Sequence, residues 1–319
     1  MAKYVAKRLL GAVPLLLLIT ILCFGLMELA PYDAVDVMTT PKMPVEQVQA
    51  IKEKYGFDKP APVRYVRWLN GVLHGELGYS IRTHQSIAQD LSVRIPNTIV
   101  LVLPAYLTAF LISLGVGLRA GSAPGSRWDR WVNRLCAAGL ALPGFWVAML
   151  LLLVFAYRLD LFPVMGMYTP GAPRTAADFL RHFCLPWLNL TLAFLPDQIR
   201  YIRALTMREL KEGYFSAQLA LGAPRRQILL RHVGRNVLLP TVTRLGMALP
   251  MLVTGAIVTE TVFGWPGVGP YFVGAVKAFD YPVVMAVLLF SAVLVILGNL
   301  LADLLYAVVD PRIEGGKSA

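Results

Sequence analysis

The side chains best suited to metal ligation or nucleophilic chemistry are few in this sequence, and their spacing supports neither. His74, His84, His182 and His232 are scattered, without the i, i+4 pairing that puts two imidazoles on one helix face. Cys23, Cys136 and Cys184 lie in or beside apolar runs with no C-x-x-C spacing, so they read as small hydrophobic side chains rather than a disulfide framework or zinc site. No serine stands in a G-x-S-x-G run, and there is no G-x-x-x-x-G-K-[ST] loop to cradle nucleotide phosphates. What remains are carboxylates inside greasy stretches. An ionisable residue there is costly and is a functional hypothesis by default, which singles out Asp197 and Glu260. For Glu260, as for Glu28, a solvated or salt-bridged helix end is an equal alternative. Asp197 is expected to pair with Arg200 or Arg203 one turn on.

The other concentration of chemistry is cationic. Residues 215–240 read "FSAQLALGAPRRQILLRHVGRNVLLP". Gly222, Ala223 and Pro224 stop a helix, since Gly permits a left-handed turn and Pro lacks the next donor. A second short helix follows, with Ile228, Leu229 and Leu230 beside Arg225, Arg226 and Arg231, so one side is apolar and the other basic. Such a helix-turn-helix suits either an anionic lipid surface or a groove on a partner.

The elements that must carry these residues follow from composition. The chain is 57% hydrophobic and 15% charged, with mean hydropathy +0.60, which argues for an all-α integral membrane protein. A spanning helix needs roughly 20 apolar residues. Six stretches qualify, about 9–30, 97–118, 135–157, 183–205, 240–262 and 283–309. The fourth is the weakest because of Asp197, Gln198, Arg200 and Arg203, whose arginines are expected to snorkel to the interface. The first is too long for a signal-peptide core and reads as a retained span. Trp265, after the fifth, reads as an interface anchor. Span five, with Gly246, Pro250, Thr254 and Gly255, holds the small residues of a close helix contact or hinge.

Charge orients the spans. The N-terminus, the second connection and the fourth carry +3, +3 and +6, and the rest of the chain is close to neutral against a total of +11. Basic loops that alternate along the chain place both termini in the cytoplasm. The same charge invites nucleic acid as a partner, but no recognition module accompanies it, so no nucleic acid is expected. Four regions result: 1–30 with the first span, an outer segment 31–96, a five-span core 97–313 with its cytoplasmic loop 206–239, and a tail 314–319. The outer segment balances eight Lys/Arg against seven Asp/Glu and is large enough for a helical cap rather than a separate core.

Gly222 followed by "RRQILLRHVGRNVLLPTVT" resembles the cytoplasmic loop of ABC importer permeases of the dipeptide, oligopeptide and nickel family. "YGFDKPAPVRYVRWLNGVLHGELGYS", "ETVFGWPGVGPYFVGAVKAFDYPVV" and "NLLADLLYAVVDPRI" resemble that family's first outer segment, the segment after its fifth span and its C-terminal end. Where the family's loop opens on an acidic residue and two alanines, this chain has Ser216, Ala217 and Gln218. The resemblance implies a multi-pass subunit of a prokaryotic cytoplasmic membrane. It would work with a second permease, two ATP-binding subunits and an extracytoplasmic binding protein, surrounded by membrane lipid. Tyr214, Ala217, Gly222, Ala223, Pro224, Arg225 and Ile228 would meet the ATPase, and Asp197, Thr254 and Glu260 are the path or gate candidates. This chain would bind no cofactor of its own, with ATP and magnesium on the partner subunits. Cargo on this reading is a di- or oligopeptide, with nickel or a metal chelate as the alternative. An intramembrane enzyme fits less well, because no nucleophile, base or metal-ligand pattern is present.

Overall fold

The computed structural model describes residues 2–29, 43–55, 58–246 and 256–309. Among them the regular structure is helical, apart from one antiparallel bridge between Tyr79 and Ser86. The chain divides into two compact units, Met1–Asn97 with Pro266–Leu297, and Thr98–Trp265 with Gly298–Ala319.

In the first unit, α1 (Ala2–Glu28), α2 (Val45–Tyr55) and α3 (Ala61–Leu73) precede the start of α4 (Ile87–Ser122), and α12 (Val268–Lys277) leads into α13 (Tyr281–Val309). Pro60 precedes α3 as its N-cap, a place where a missing N–H costs nothing. Tyr65 on α3 meets α1 twice, with its ring edge-on to Phe24 at 5.5 Å and its hydroxyl 2.9 Å from that of Thr20. Arg64 forms an ion pair with Glu28, so Glu28 is the salt-bridged helix end. At the other side of this unit the buried Asp280 accepts hydrogen bonds from the Ser80 hydroxyl at 2.5 Å, from the Ile81 N–H at 3.1 Å and from the Arg82 N–H at 3.4 Å. One carboxylate thus pins the 80–82 loop to the head of α13.

In the second unit, the body of α4 packs with α5 (Arg127–Ala141) and α7 (Ala176–Glu209), and α6 (Gly144–Leu151, continued as a π-helical stretch Leu152–Arg158) packs against α7. After α7 come α8 (Gly213–Ala220), α9 (Arg225–Ile228, continued as a π-helical turn Leu229–Val233), α10 (Gly234–Gly246) and α11 (Ile257–Val262). Ser126 caps α5 by accepting from the Asp129 N–H, and Thr175 caps α7 by accepting from the Asp178 N–H. Each cap satisfies an N–H that has no partner inside its helix.

Among the described residues, two helices are long and apolar enough to cross a bilayer by themselves, Ile87–Ser122 and Tyr281–Leu301. The expected continuous span over 135–157 is corrected. The helix begins earlier, at Arg127, and breaks after Ala141 through a 97° bend into Gly144–Arg158. Pro143 is the cause, because it restricts Leu142 to extended backbone. The fourth expected span, 183–205, lies inside a continuous 34-residue helix that includes Pro186 and Pro196. Most of the fifth lies outside the described residues, among 247–255. Trp265 is not an interface anchor. It is fully buried in the second unit beside Leu101, Val102 and Leu190, with the Phe179 and Phe183 rings at 6.0 and 6.2 Å, because its N–H bonds back to the Glu260 carbonyl at 2.8 Å and draws the chain inward.

Candidate functional site

The basic elbow stands on a close helix crossing. A Cβ on Gly117 would come within 2.7 Å of Ile202 Cγ2, and one on Gly121 within 2.6 Å of Thr206 Cβ. Only hydrogen at both positions lets α4 and α7 approach this far, the small-x-x-x-small device of membrane helices. Sequence reasoning passed over this pair, although its four-residue spacing was the available signal. Beside the crossing, Ile202, Phe215, Ile228, Val233 and Val237 form a buried cluster supported by Leu114, Leu118 and Leu205. The apolar sides of α8 and α9 are therefore spent on the protein's own core.

The turn between α8 and α9 is a Schellman motif. The Ala223 N–H reaches the Gln218 carbonyl and the Gly222 N–H reaches the Leu219 carbonyl, both at 3.0 Å, and Gly222 supplies the left-handed residue with φ +84°. Pro224 then starts α9 with φ −66°. Helix α7 ends at Glu209, and Gly213 opens α8. Tyr214 is half-buried. Its hydroxyl donates to Glu209 Oε2 at 2.9 Å, and Asn236 Nδ2 donates to the same oxygen at 2.8 Å. Burial, and next the Glu209 carboxylate, push the Tyr214 hydroxyl up to about 12. Arg225 donates through Nη2 to the Ser122 carbonyl at 2.6 Å, tying the elbow to the end of α4. Ala217, Gly222 and Pro224 are exposed and Ala223 is half-buried.

Ile228 is fully buried within the chain and does not face outward. The reason is the cluster just described, which its side chain fills. The apolar groups on the elbow's surface include instead Leu221, 86% exposed at the tip of the turn, and Leu230, 64% exposed. Leu221 was legible in the sequence as the apolar residue before the turn glycine, but no local signal set it apart as exposed from the buried apolar residues around it. Leu230 stands away from Ile228, so the second helix is not cleanly divided into one apolar and one basic side.

The two path candidates among the described residues, Asp197 and Glu260, have separate partners. Asp197 pairs with Arg244 of α10, Nη2 to Oδ2 at 2.6 Å, and that guanidinium also lies over the Tyr201 ring at 4.5 Å. The expected partners are thereby corrected. Arg203 sits six residues on and points to another side of α7, where it holds Asp129 of α5 through Nε at 2.5 Å and Nη2 at 2.8 Å. The Arg203 guanidinium holds the Asp129 carboxyl below the usual carboxylate range in spite of burial, helped by the Gly125 N–H and the Asn133 amide. Glu260 is fully buried and accepts from the Thr98 hydroxyl at 2.6 Å. A water-lapped helix end does not describe it, since Trp265 and its neighbours close over this part of the unit. Thr254 lies outside the described residues. Gln198, next to Asp197, is buried with neither amide atom hydrogen-bonded. Among the described residues no three His, Cys, Asp or Glu side chains gather as metal ligands would.

Comparison with known proteins bears on the whole chain. Residues 113–315 match the family model described as binding-protein-dependent transport system inner membrane component, and residues 1–102 match the model of its N-terminal part. The oligopeptide transport system permease protein AppB of Bacillus subtilis is 38% identical over 98% of this chain and 100% of its own length. The glutathione transport system permease proteins GsiC of Salmonella paratyphi A and Escherichia coli O6:H1 are 32% and 31% identical, each over 98% of this chain and 99% of their own length. With matches spanning both compact units, the chain belongs to the family of binding-protein-dependent transport system inner membrane components.

Proposed function

We propose that this chain is a transmembrane permease subunit of an ATP-driven peptide importer. End-to-end similarity to permeases named for oligopeptide and glutathione transport carries the reading, since both cargoes are peptides. The chain crosses the inner membrane six times with both termini in the cytoplasm, presents 31–96 outside, and keeps 97–313 as its core and 314–319 as a tail. It assembles with a second permease, two ATP-binding subunits and an extracytoplasmic binding protein, and it neither binds nor hydrolyses ATP.

The elbow at 206–239 transmits force from the ATPase. Tyr214, Ala217, Gly222, Ala223, Pro224 and Arg225 form the contact together with Leu221, while Ile228 stiffens the knob from inside. The support is mechanical. A knob that conveys motion must be rigid at its base, and this one rests on a buried cluster, a Schellman turn and the Arg225 anchor to Ser122. Asp197 and Thr254 are the proposed path positions, and Glu260 is proposed to support a gate from within the packing.

Uptake of a radiolabelled dipeptide and of nickel by cells with and without the gene tests the cargo. Dipeptide uptake that vanishes on deletion is expected, and loss of nickel uptake alone would overturn the peptide reading in favour of the metal.

A further inference from the structure

Two ion pairs tie α7 to its neighbours, and they are built differently. In the pair of Arg203 with Asp129 the carboxylate side chain is 3% exposed and both of its oxygens are held. In the pair of Arg244 with Asp197 a single bond runs from Nη2 to Oδ2, and the side chains are 33% and 57% exposed. Among the described residues Asp197 Oδ1 accepts no hydrogen bond, and a guanidinium has five N–H donors, of which this bond uses one. The first pair is a closed structural clasp. The second keeps an open acceptor and open donors side by side.

The pair also stands well away from the elbow. Asp197 precedes the end of α7 at Glu209, and Arg244 follows the start of α10 at Gly234, so at 1.5 Å per residue each charge lies on the order of 15 Å in from the elbow end of its helix. In the six-span arrangement proposed above that is membrane depth, where ionised side chains face a bundle interior or a water-filled path rather than hydrocarbon. Aromatic rings surround the pair. Tyr201 lies under the Arg244 guanidinium at 4.5 Å, which fixes the plane of its donors. Tyr106 of α4 is within electrostatic reach of both charges, and its ring is edge-on to Phe194 at 5.2 Å. An ion pair this exposed contributes little by itself, so it yields to a ligand that offers each charge a partner.

We infer that Asp197 and Arg244 together bind the two ends of a short peptide, the terminal ammonium donating to Asp197 and the terminal carboxylate accepting from Arg244, with Tyr106 and Tyr201 beside the chain between them. The inference rests on the peptide-importer reading and adds to it what in the cargo is recognised. Charge complementarity selects this ligand. A bare metal cation would meet the Arg244 guanidinium, and a lipid acyl chain would satisfy neither charge. A zwitterion matches both.

The test is equilibrium binding of radiolabelled alanyl-alanine to the purified permease–ATPase complex without its binding protein, with ATPase copurification as the check on assembly. Alanyl-alanine amide and N-acetyl-alanyl-alanine are each expected to compete about tenfold less well than the free dipeptide. Arg244→Gln should abolish the discrimination against the amide alone, and Asp197→Asn the discrimination against the acetylated peptide alone. Equal competition by free and blocked peptides in the parent, or no binding at all, is what a pair that only holds α7 to α10, or that a second permease covers, would give, and it overturns the site. Should either variant fail to assemble, Arg244→Lys keeps the charge without the flat donor plane and is expected to weaken alanyl-alanine binding severalfold with the amide unchanged; no change in either overturns the site equally. Dipeptide uptake by cells separates the two levels: a transporter that takes up dipeptide yet ignores its termini refutes this site alone, whereas one that takes up no peptide refutes the importer reading beneath it.

Discussion

Arg203 and Asp129, 74 positions apart, form a two-pronged ion pair in which Nε and Nη2 of the guanidinium reach the two carboxylate oxygens at 2.5 and 2.8 Å. The carboxylate is almost wholly buried and the guanidinium mostly so. The pair joins α5 to α7 just before the basic elbow. Removing one member of a buried pair strands the other charge, which costs more than the pair contributes.

Arg203→Gln is therefore expected to destabilise the protein by roughly 3 kcal/mol, read as a lowered midpoint in thermal unfolding of the detergent-solubilised subunit. The pair also sets a pH dependence. The folded carboxyl titrates below its ordinary value of 3.8, so its contribution is complete above that value and is lost as pH falls through the lower folded one. A midpoint that is flat from pH 7 to 5, then falls more steeply in the parent than in Asp129→Asn, is the expected pattern.

Gly222 has open space around a Cβ position but a φ of +84°, so strain rather than collision penalises a side chain there. Gly222→Val is expected to cost roughly 1–2 kcal/mol locally and to reduce peptide-stimulated ATP hydrolysis by the assembled complex. Gly222→Asn, which adopts the left-handed region more readily, should retain most of it. Equal activity in the two variants would separate the turn geometry from coupling.

Leu221 is an exposed apolar side chain at the tip of the turn. Leu221→Asp should leave expression and thermal stability within about 0.5 kcal/mol of the parent, while copurified ATPase falls severalfold. Unchanged ATPase recovery would remove Leu221 from the proposed contact.

The hydrogen bond from Tyr214 to Glu209 makes a different prediction at high pH. The folded hydroxyl is pushed up from 10 to about 12, so the bond's contribution is fully present below pH 10 and disappears as pH rises through 12. Tyr214→Phe is expected to cost about 1 kcal/mol at neutral pH, with the gap between parent and variant closing only in strong alkali. Thermal unfolding scans from pH 7 upward measure it.

Gly121→Ala tests the crossing of α4 and α7. A methyl at that place would stand 2.6 Å from Thr206 Cβ and 2.8 Å from the Arg203 carbonyl, and backbone cannot step aside cheaply. A destabilisation of about 1–3 kcal/mol is expected, whereas Gly213→Ala, where nothing approaches within 4 Å, should be near neutral.

The sequence by itself determined the membrane class, the helical architecture and the place of the elbow. These depend on composition, on runs of apolar residues and on local chemistry such as Gly222 and Pro224, all of which act within a few positions along the chain. It left undecided which way the elbow's apolar residues face. Ile228 and Leu230 look alike in one dimension, and only the packing of α4, α7, α8 and α9 around Ile202 decided that the first is core and the second surface. Ion-pair partners were equally hidden. Asp197 found Arg244 and Arg203 found Asp129 because the helices that carry them lie side by side, and an i, i+4 rule has no access to neighbours 47 or 74 positions away.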